Sequence, residues 1–170
     1  VHDALAVLLR AAYAHEPELF AGRRTWSYLR PEARVTGIDE RGPAAMAGVL
    51  RRFVQVGGRD QLVAMVGLVA VRPDLQRHGV GLVLMRQVTG FLTELGVPFG
   101  LLTCAPRHVG FYRRAGWRLL PPIRAIRSPD DTGEASAFVD EISATTMILP
   151  VTGALEDWPD GDLQYHAAPI

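Results

Sequence analysis

The chain contains no lysine, only one cysteine and no excess of either charge. All 18 basic residues are arginine, which excludes a lysine nucleophile or Schiff base. Cys104, alone, can form neither an intramolecular disulfide nor a cysteine-cluster metal site. A single thiol also suits a reducing compartment. The 18 basic residues face 18 acidic ones, so no global field favours nucleic acid or a membrane surface. The longest apolar run, Leu62 to Val71, is too short to cross a bilayer. The first residues, Val1-His2-Asp3, carry no basic flank and no signal-peptide pattern. The expectation is a cytoplasmic protein with no metal, no nucleic-acid partner and no transmembrane segment.

What is present suits a single globular domain. The 170 residues are 48% apolar and 21% charged, ordinary values for a chain with a substantial core. Leu5, Leu8, Leu9, Ala12 and Tyr13 recur at helical spacing, predicting a helix over Asp3 to His15 that Pro17 ends. Glu32 to Asp39 reads as a strand. Ala44 to Val56 reads as a longer one, with Gly48 as a bulge. Gly57-Gly58 is a hairpin turn leading into a strand over Gln61 to Val71. That strand is apolar almost throughout, as burial on both faces requires. A helix over Gly79 to Leu95, a strand over Phe99 to Cys104 and a short helix over Pro106 to Ala115 follow. Trp117 to Leu120 leads into another strand, Arg127 to Glu134 is a polar loop, and Ala137 to Pro150 contains a final strand, best placed at Ala144 to Leu149. Residues 152–170 form an acidic tail rich in Gly and Pro. The order predicts one α/β domain over residues 1–170 with a mixed sheet.

The most informative segment is the junction of the third strand with the second helix. There the chain reads Gln76-Arg77-His78-Gly79-Val80-Gly81. A pyrophosphate needs several backbone N–H groups converging at the positive end of a helix. Gly79 and Gly81 let the backbone approach closely, because no Cβ intervenes. Gln76, Arg77 and His78 can add side-chain donors, Arg77 a charge-assisted one. Such a Gly-x-Gly also serves as a plain strand-to-helix turn. Some thirty residues later comes a second segment, Phe111-Tyr112-Arg113-Arg114-Ala115-Gly116-Trp117.

Together the two segments resemble the GNAT superfamily of acyl-CoA-dependent N-acyltransferases. The first is similar to its Gln/Arg-x-x-Gly-x-Gly/Ala signature, the second to its Phe-Tyr-x-x-x-Gly-Phe/Trp segment. The resemblance implies a mixed, mostly antiparallel sheet flanked by helices and splayed between the strands at 62–71 and 99–104. It implies acetyl-CoA or another acyl-CoA as donor. Main-chain groups of Val69 and Val71 would pair with the pantetheine arm, and amides of residues 77–81, including Val80, would hold the pyrophosphate. The acyl carbonyl would lie near a strand bulge, polarised by a main-chain N–H. Tyr112 falls at the position of the tyrosine that serves the departing sulfur; a phenol's ordinary acidity suits that proton. Many relatives carry a glutamate on the strand before the loop. Residues 62–68 here have no titratable side chain. A water chain, a tail carboxylate or a partly deprotonated substrate could serve as base, and His108 lies one helical turn before Tyr112. The missing carboxylate also fits a CoA-binding domain without catalysis.

Two narrower resemblances concern the acceptor. Arg24-Thr25-Trp26, Arg30-Pro31-Glu32, Leu50-Arg51-Arg52-Phe53, Ala70-Val71-Arg72-Pro73-Asp74, Glu94 to Gly100 and Asp157-Trp158-Pro159 resemble the rhizobial nodulation acyltransferase family, NodA. That family moves a fatty acyl chain onto a chitin-oligosaccharide amine. The glutamate expected at its Met65 position is missing here, and the phosphate loop is intact. Gly67 to Arg72, Ser128 to Gly133, Asp157-Trp158 and Gly161-Asp162 resemble the aminoglycoside 2'-N-acetyltransferases. There the acidic loop and tail grip ammonium groups, which would assign Asp130, Asp131, Asp157, Asp160 and Asp162 to the acceptor. Trp26, Tyr28 and Trp158 could stack on sugar faces. The expectation is N-acetylation of a small-molecule amine, an amino sugar or aminoglycoside-like compound. The alternative is fatty acyl transfer from an acidic carrier protein to a glucosamine amine, with Arg23, Arg24, Arg51 and Arg52 as a basic patch. The long apolar strands could pair across a homodimer.

Overall fold

A computed structural model describes residues 2–22, 24–26, 30–127 and 139–165. Among the described residues the α-helices are α1 (His2–Ala12), α2 (Val80–Glu94) and α3 (Val109–Arg114). The strands are β1 (Ala33–Asp39), β2 (Gly42–Val56), β3 (Arg59–Val71), β4 (Phe99–Thr103) and β5 (Arg118–Leu119), followed by β6 (Ile123–Arg127), β7 (Val139–Ser143), β8 (Thr146–Pro150) and β9 (Leu163–Tyr165). Most ladders are antiparallel; β3–β4 and β6–β9 are parallel. The fold is therefore the mixed α/β arrangement expected. The chain divides into two compact units, Val1–Leu50 with Val66–Leu95, and Arg51–Met65 with Gly96–Ile170. Strands β2 and β3 contribute to both.

In the first unit, α1 is amphipathic and buries Leu5, Ala6, Leu8 and Leu9. These pack with Phe20, Met46, Leu68 and Ala70 into one apolar cluster. β1 pairs with β2 from Ala33↔Val49 to Asp39↔Gly42, and its register slips between Gly37 and Ile38. The bulge expected at Gly48 does not occur in this ladder, where Arg34↔Gly48 is a regular pair. Gly48 is required by packing, since a Cβ there would lie 3.0 Å from Pro31 Cβ and 3.1 Å from Leu68 Cδ1.

In the second unit the hydrogen-bonded order is β5-β8-β4-β3-β2-β9-β6-β7. Val54, Val56, Val63, Phe99, Leu101, Ile148 and Leu163 form its core. The Gly57-Gly58 turn has φ of +55° and +79°, the left-handed pair that a two-residue hairpin loop needs. Gly57 also lies against the chain near residue 160: a Cβ would sit 2.1 Å from the Asp160 carbonyl oxygen. The strand expected after Leu120 is β6, whereas the sequence reading missed β7 and β9. The tail, expected to line the acceptor site, also supplies β9, which pairs antiparallel with β2 and parallel with β6. Its Leu163 is fully buried. A three-residue Leu-Gln-Tyr strand among Asp, Gly and Pro is too short to show a period. Among the described residues no helix is long and apolar enough to cross a membrane, and no cluster of metal-ligating side chains occurs.

Candidate functional site

The sequence motifs begin where β3 ends. Within the strand the main chain kinks: Leu68 has φ +54°, and Arg77 in the following turn has φ +65°. Among the described residues these are the only non-glycine positions with positive φ. Bulky L-residues adopt that region only when their surroundings impose it. The Arg72 N–H donates to the Ala44 carbonyl on β2 at 2.8 Å. Alternation along a strand then puts the main-chain groups of Val69 and Val71 on the opposite edge. The β3–β4 ladder covers Val63–Met65 and stops there, so that edge has no strand partner among the described residues. Two side chains cap it instead. The Tyr13 hydroxyl donates to the Val69 carbonyl, and the Gln76 amide to the Val71 carbonyl, each at 3.1 Å. Gln76 thus staples the turn to the strand instead of extending a donor outward.

The turn comprises a single 3-10 turn, Pro73–Leu75, then residues 76–79, then α2. Gly79 caps the helix with φ +82°. Its carbonyl accepts the N–H groups of Leu82 and Val83 at 3.0 and 3.1 Å. The main-chain N–H groups of Arg77, His78, Gly79, Val80 and Gly81 have no intramolecular partner among the described residues. A Cβ built on Gly79 would meet no atom within 4 Å, so the space before these donors is open. Arg77 and His78 are exposed beside them. Unpaired amides at the positive end of a 15-residue helix fit a diphosphate.

An ion-pair network braces the turn. Arg72 holds Asp39 at 2.5 Å and Asp74 at 2.7 Å, and Arg41 holds Asp74 at 2.7 Å. Hydrogen bonds from the Arg72 guanidinium keep both carboxyls below the usual carboxylate range. A carboxyl depressed in the folded state stabilises it above the unfolded value of about 4 and loses that contribution as pH falls through the folded value. Replacing Arg72 with Met should therefore flatten the drop in melting temperature below about pH 4. An unchanged acid profile would show that the network does not brace the fold.

In the second unit, Tyr112 is buried on α3, with its ring centroid 4.9 Å from that of Phe111 and 6.2 Å from that of Trp117. His108 is exposed at the end of the 3-10 turn before α3, at that helix's cap. Cys104 follows β4 with Sγ 3.9 Å from the Met147 sulfur. Burial pushes its thiol up, which disfavours a nucleophilic thiolate.

A groove of about 310 Å³ opens in the same unit. Pro121, Pro122, Arg124, Trp158, Asp160 and Asp162 are among the residues that line it. Arg124 and Asp162 approach to 3.6 Å. Trp158 is fixed edge-on against Phe99, centroids 5.1 Å apart. The structure thus brings Trp158, Asp160 and Asp162 together, but not Asp157. The Asp157 carboxylate accepts the Ala154 N–H at 2.9 Å and closes its own turn. Trp26 belongs to the first unit, with the Arg30 guanidinium 5.3 Å from its ring centre. Arg23, Tyr28, Asp130 and Asp131 lie outside the described residues. Sequence reasoning missed Arg124 and Tyr13. No local signal marks Arg124, and the helical spacing of Tyr13 reads simply as core.

Comparisons with known proteins give the family and the fold. A family model described as nodulation protein A (NodA) matches residues 1–167. The nodulation protein A of Bradyrhizobium elkanii is 39% identical over 173 residues, spanning 95% of this chain and 81% of that protein. That of Rhizobium meliloti (strain 1021) is 38% identical, spanning 95% and 86%. Among solved structures, the Escherichia coli GNAT family N-acetyltransferase YhbS in complex with CoA aligns with TM-score 0.63 at 17% identity. It covers 96% of this chain and 84% of its own. A Brucella melitensis GNAT family acetyltransferase in complex with acetyl-CoA aligns with TM-score 0.60 at 21% identity, covering 97% and 90%. These structural likenesses identify the fold as GNAT.

Proposed function

The chain belongs to the nodulation protein A family of N-acyltransferases, and on that premise we propose that it moves an acyl group from a pantetheine thioester to the primary amine of an amino sugar. The observation that carries this reading is the turn at residues 77–81, with its unpaired amides, next to a kinked strand with an open edge. Amides of residues 77–81 hold the donor diphosphate. The Val69 and Val71 edge aligns the arm like an added strand, and the Val69 N–H polarises the acyl carbonyl. A bound acyl thioester supplies the activated carbonyl. Tyr112 returns a proton to the departing sulfur, an assignment resting on the Phe-Tyr-x-x-x-Gly-Trp motif. Residues 62–68 of β3 offer no carboxylate, and the amine's proton passes to water.

The groove supports a sugar acceptor. The Trp158 face suits a sugar ring, and Asp160 and Asp162 suit an ammonium group. One oxygen of Asp157 closes its own turn, which leaves Asp160 and Asp162 as the carboxylates of the groove. For the donor, the intact turn favours acyl-CoA. A carrier-protein donor is the second reading. Residues 96–127 contain six arginines and no carboxylate, and Arg113, Arg114 and Arg118 are exposed, a surface suited to an acidic carrier.

The test is thiol release and product mass with acetyl-CoA, long-chain acyl-CoA and an acyl carrier protein. Each donor is paired with glucosamine, a chitin-type oligosaccharide and an aminoglycoside. Acylation of the oligosaccharide or glucosamine is the expected result. Failure of every donor to release thiol would sink the reading. Trp158→Ala should raise the KM for the sugar about tenfold, in line with the loss of one stacked aromatic contact. The donor KM should stay within about twofold. A change in donor KM alone would show that the groove does not bind the acceptor.

A further inference from the structure

We infer that Tyr13 is a positioning residue of the acyl-donor site, holding the kinked edge of β3 in the form the pantetheine arm requires. This rests on the donor reading above. Tyr13 follows α1 and belongs to no sequence motif. Its ring packs against Phe20, centroids 5.0 Å apart, and stacks with His15 at 6.1 Å. Its hydroxyl donates to the Val69 carbonyl at 3.1 Å. Val69 immediately follows Leu68, where φ is +54°. A leucine held there carries strain that persists only where neighbours over-determine it. The Leu68 side chain is buried in the same cluster that Tyr13 packs against. The hydrogen bond fixes the main chain on the other side of the kink.

The chemistry of the phenol fits this task. Burial pushes its pKa up to about 12, with nearby Glu16 adding to the effect. The hydroxyl therefore stays protonated at neutral pH and acts as a constant donor, not as a base. The N–H and C=O of a strand residue share one edge. The bond that Tyr13 makes thus orients the carbonyl beside the N–H assigned to the acyl group. The Val69 carbonyl has a second lone pair, which remains for an amide of the arm.

Tyr13→Phe keeps the ring and its packing and removes only the hydroxyl. Binding is measured by calorimetry with acetyl-CoA, which spans edge and turn, and with ADP, which reaches the turn alone. The expected result is a five- to tenfold rise in Kd for acetyl-CoA with ADP affinity unchanged, and a hydrogen-exchange rate at residues 68–71 that rises while that of α2 does not. Equal loss for both ligands would indicate a general structural role and overturn the inference. Unchanged acetyl-CoA affinity would overturn it too. If the unaltered protein binds neither ligand, the donor reading itself fails, and this inference falls with it.

Discussion

Gly79→Val should remove acyl-donor binding while the protein remains folded. Gly79 has φ +82° at the cap of α2, a region where an L-residue costs about 1–2 kcal/mol and a β-branched one fits worst. No atom lies within 4 Å of a Cβ placed there, so nothing in the protein collides with the new side chain. The collision is with the ligand. Two methyl groups would stand in the open space before the amides of residues 77–81, where a diphosphate oxygen must come within about 3 Å of nitrogen. A dissociation constant for CoA at least a hundredfold higher is expected, with a melting temperature lower by only a few degrees. Gly79→Ala separates the two effects, since it carries the backbone strain with a smaller obstruction. Near-normal CoA affinity in the valine variant would remove the turn from the donor site. Catalysis would then need another explanation.

The legibility of this chain followed from how local each signal was. Gly57-Gly58, the Gln-x-x-Gly-x-Gly turn and α2 were readable because left-handed glycines, helix ends and a 3.6-residue apolar period are written over consecutive residues. The kink was not. The sequence places a bulge at Gly48, because glycine commonly marks one, whereas the strained residue is Leu68. Glycine at 48 is needed because the Leu68 and Pro31 side chains come so close, a relation that exists only after folding. The acidic residues of the tail divide for a similar reason. Asp157, Asp160 and Asp162 look alike in composition. Only the folded chain shows that the first caps a turn while the other two line a groove. Tyr13 and Val69 are 56 residues apart, and no pattern within a single segment could join them.

Tyr112→Phe should lower turnover about a hundredfold while leaving the Kd for CoA within about twofold, the signature of a group needed only as the thiolate departs. The substitution is conservative for packing. The ring lies against Phe111 and Trp117, and phenylalanine preserves both contacts. The competing possibility is that Tyr112 is only part of this buried aromatic layer. In that case kcat should fall no further than the folded fraction does. A donor series separates the two further. Thioesters of more acidic thiols expel sulfur without needing a proton, so the defect should shrink as the leaving thiol becomes more acidic. A purely structural tyrosine would give the same defect with every thiol. A constant ratio of wild-type to variant rates across that series would therefore take the proton-donor role away from Tyr112, even if the variant were slow.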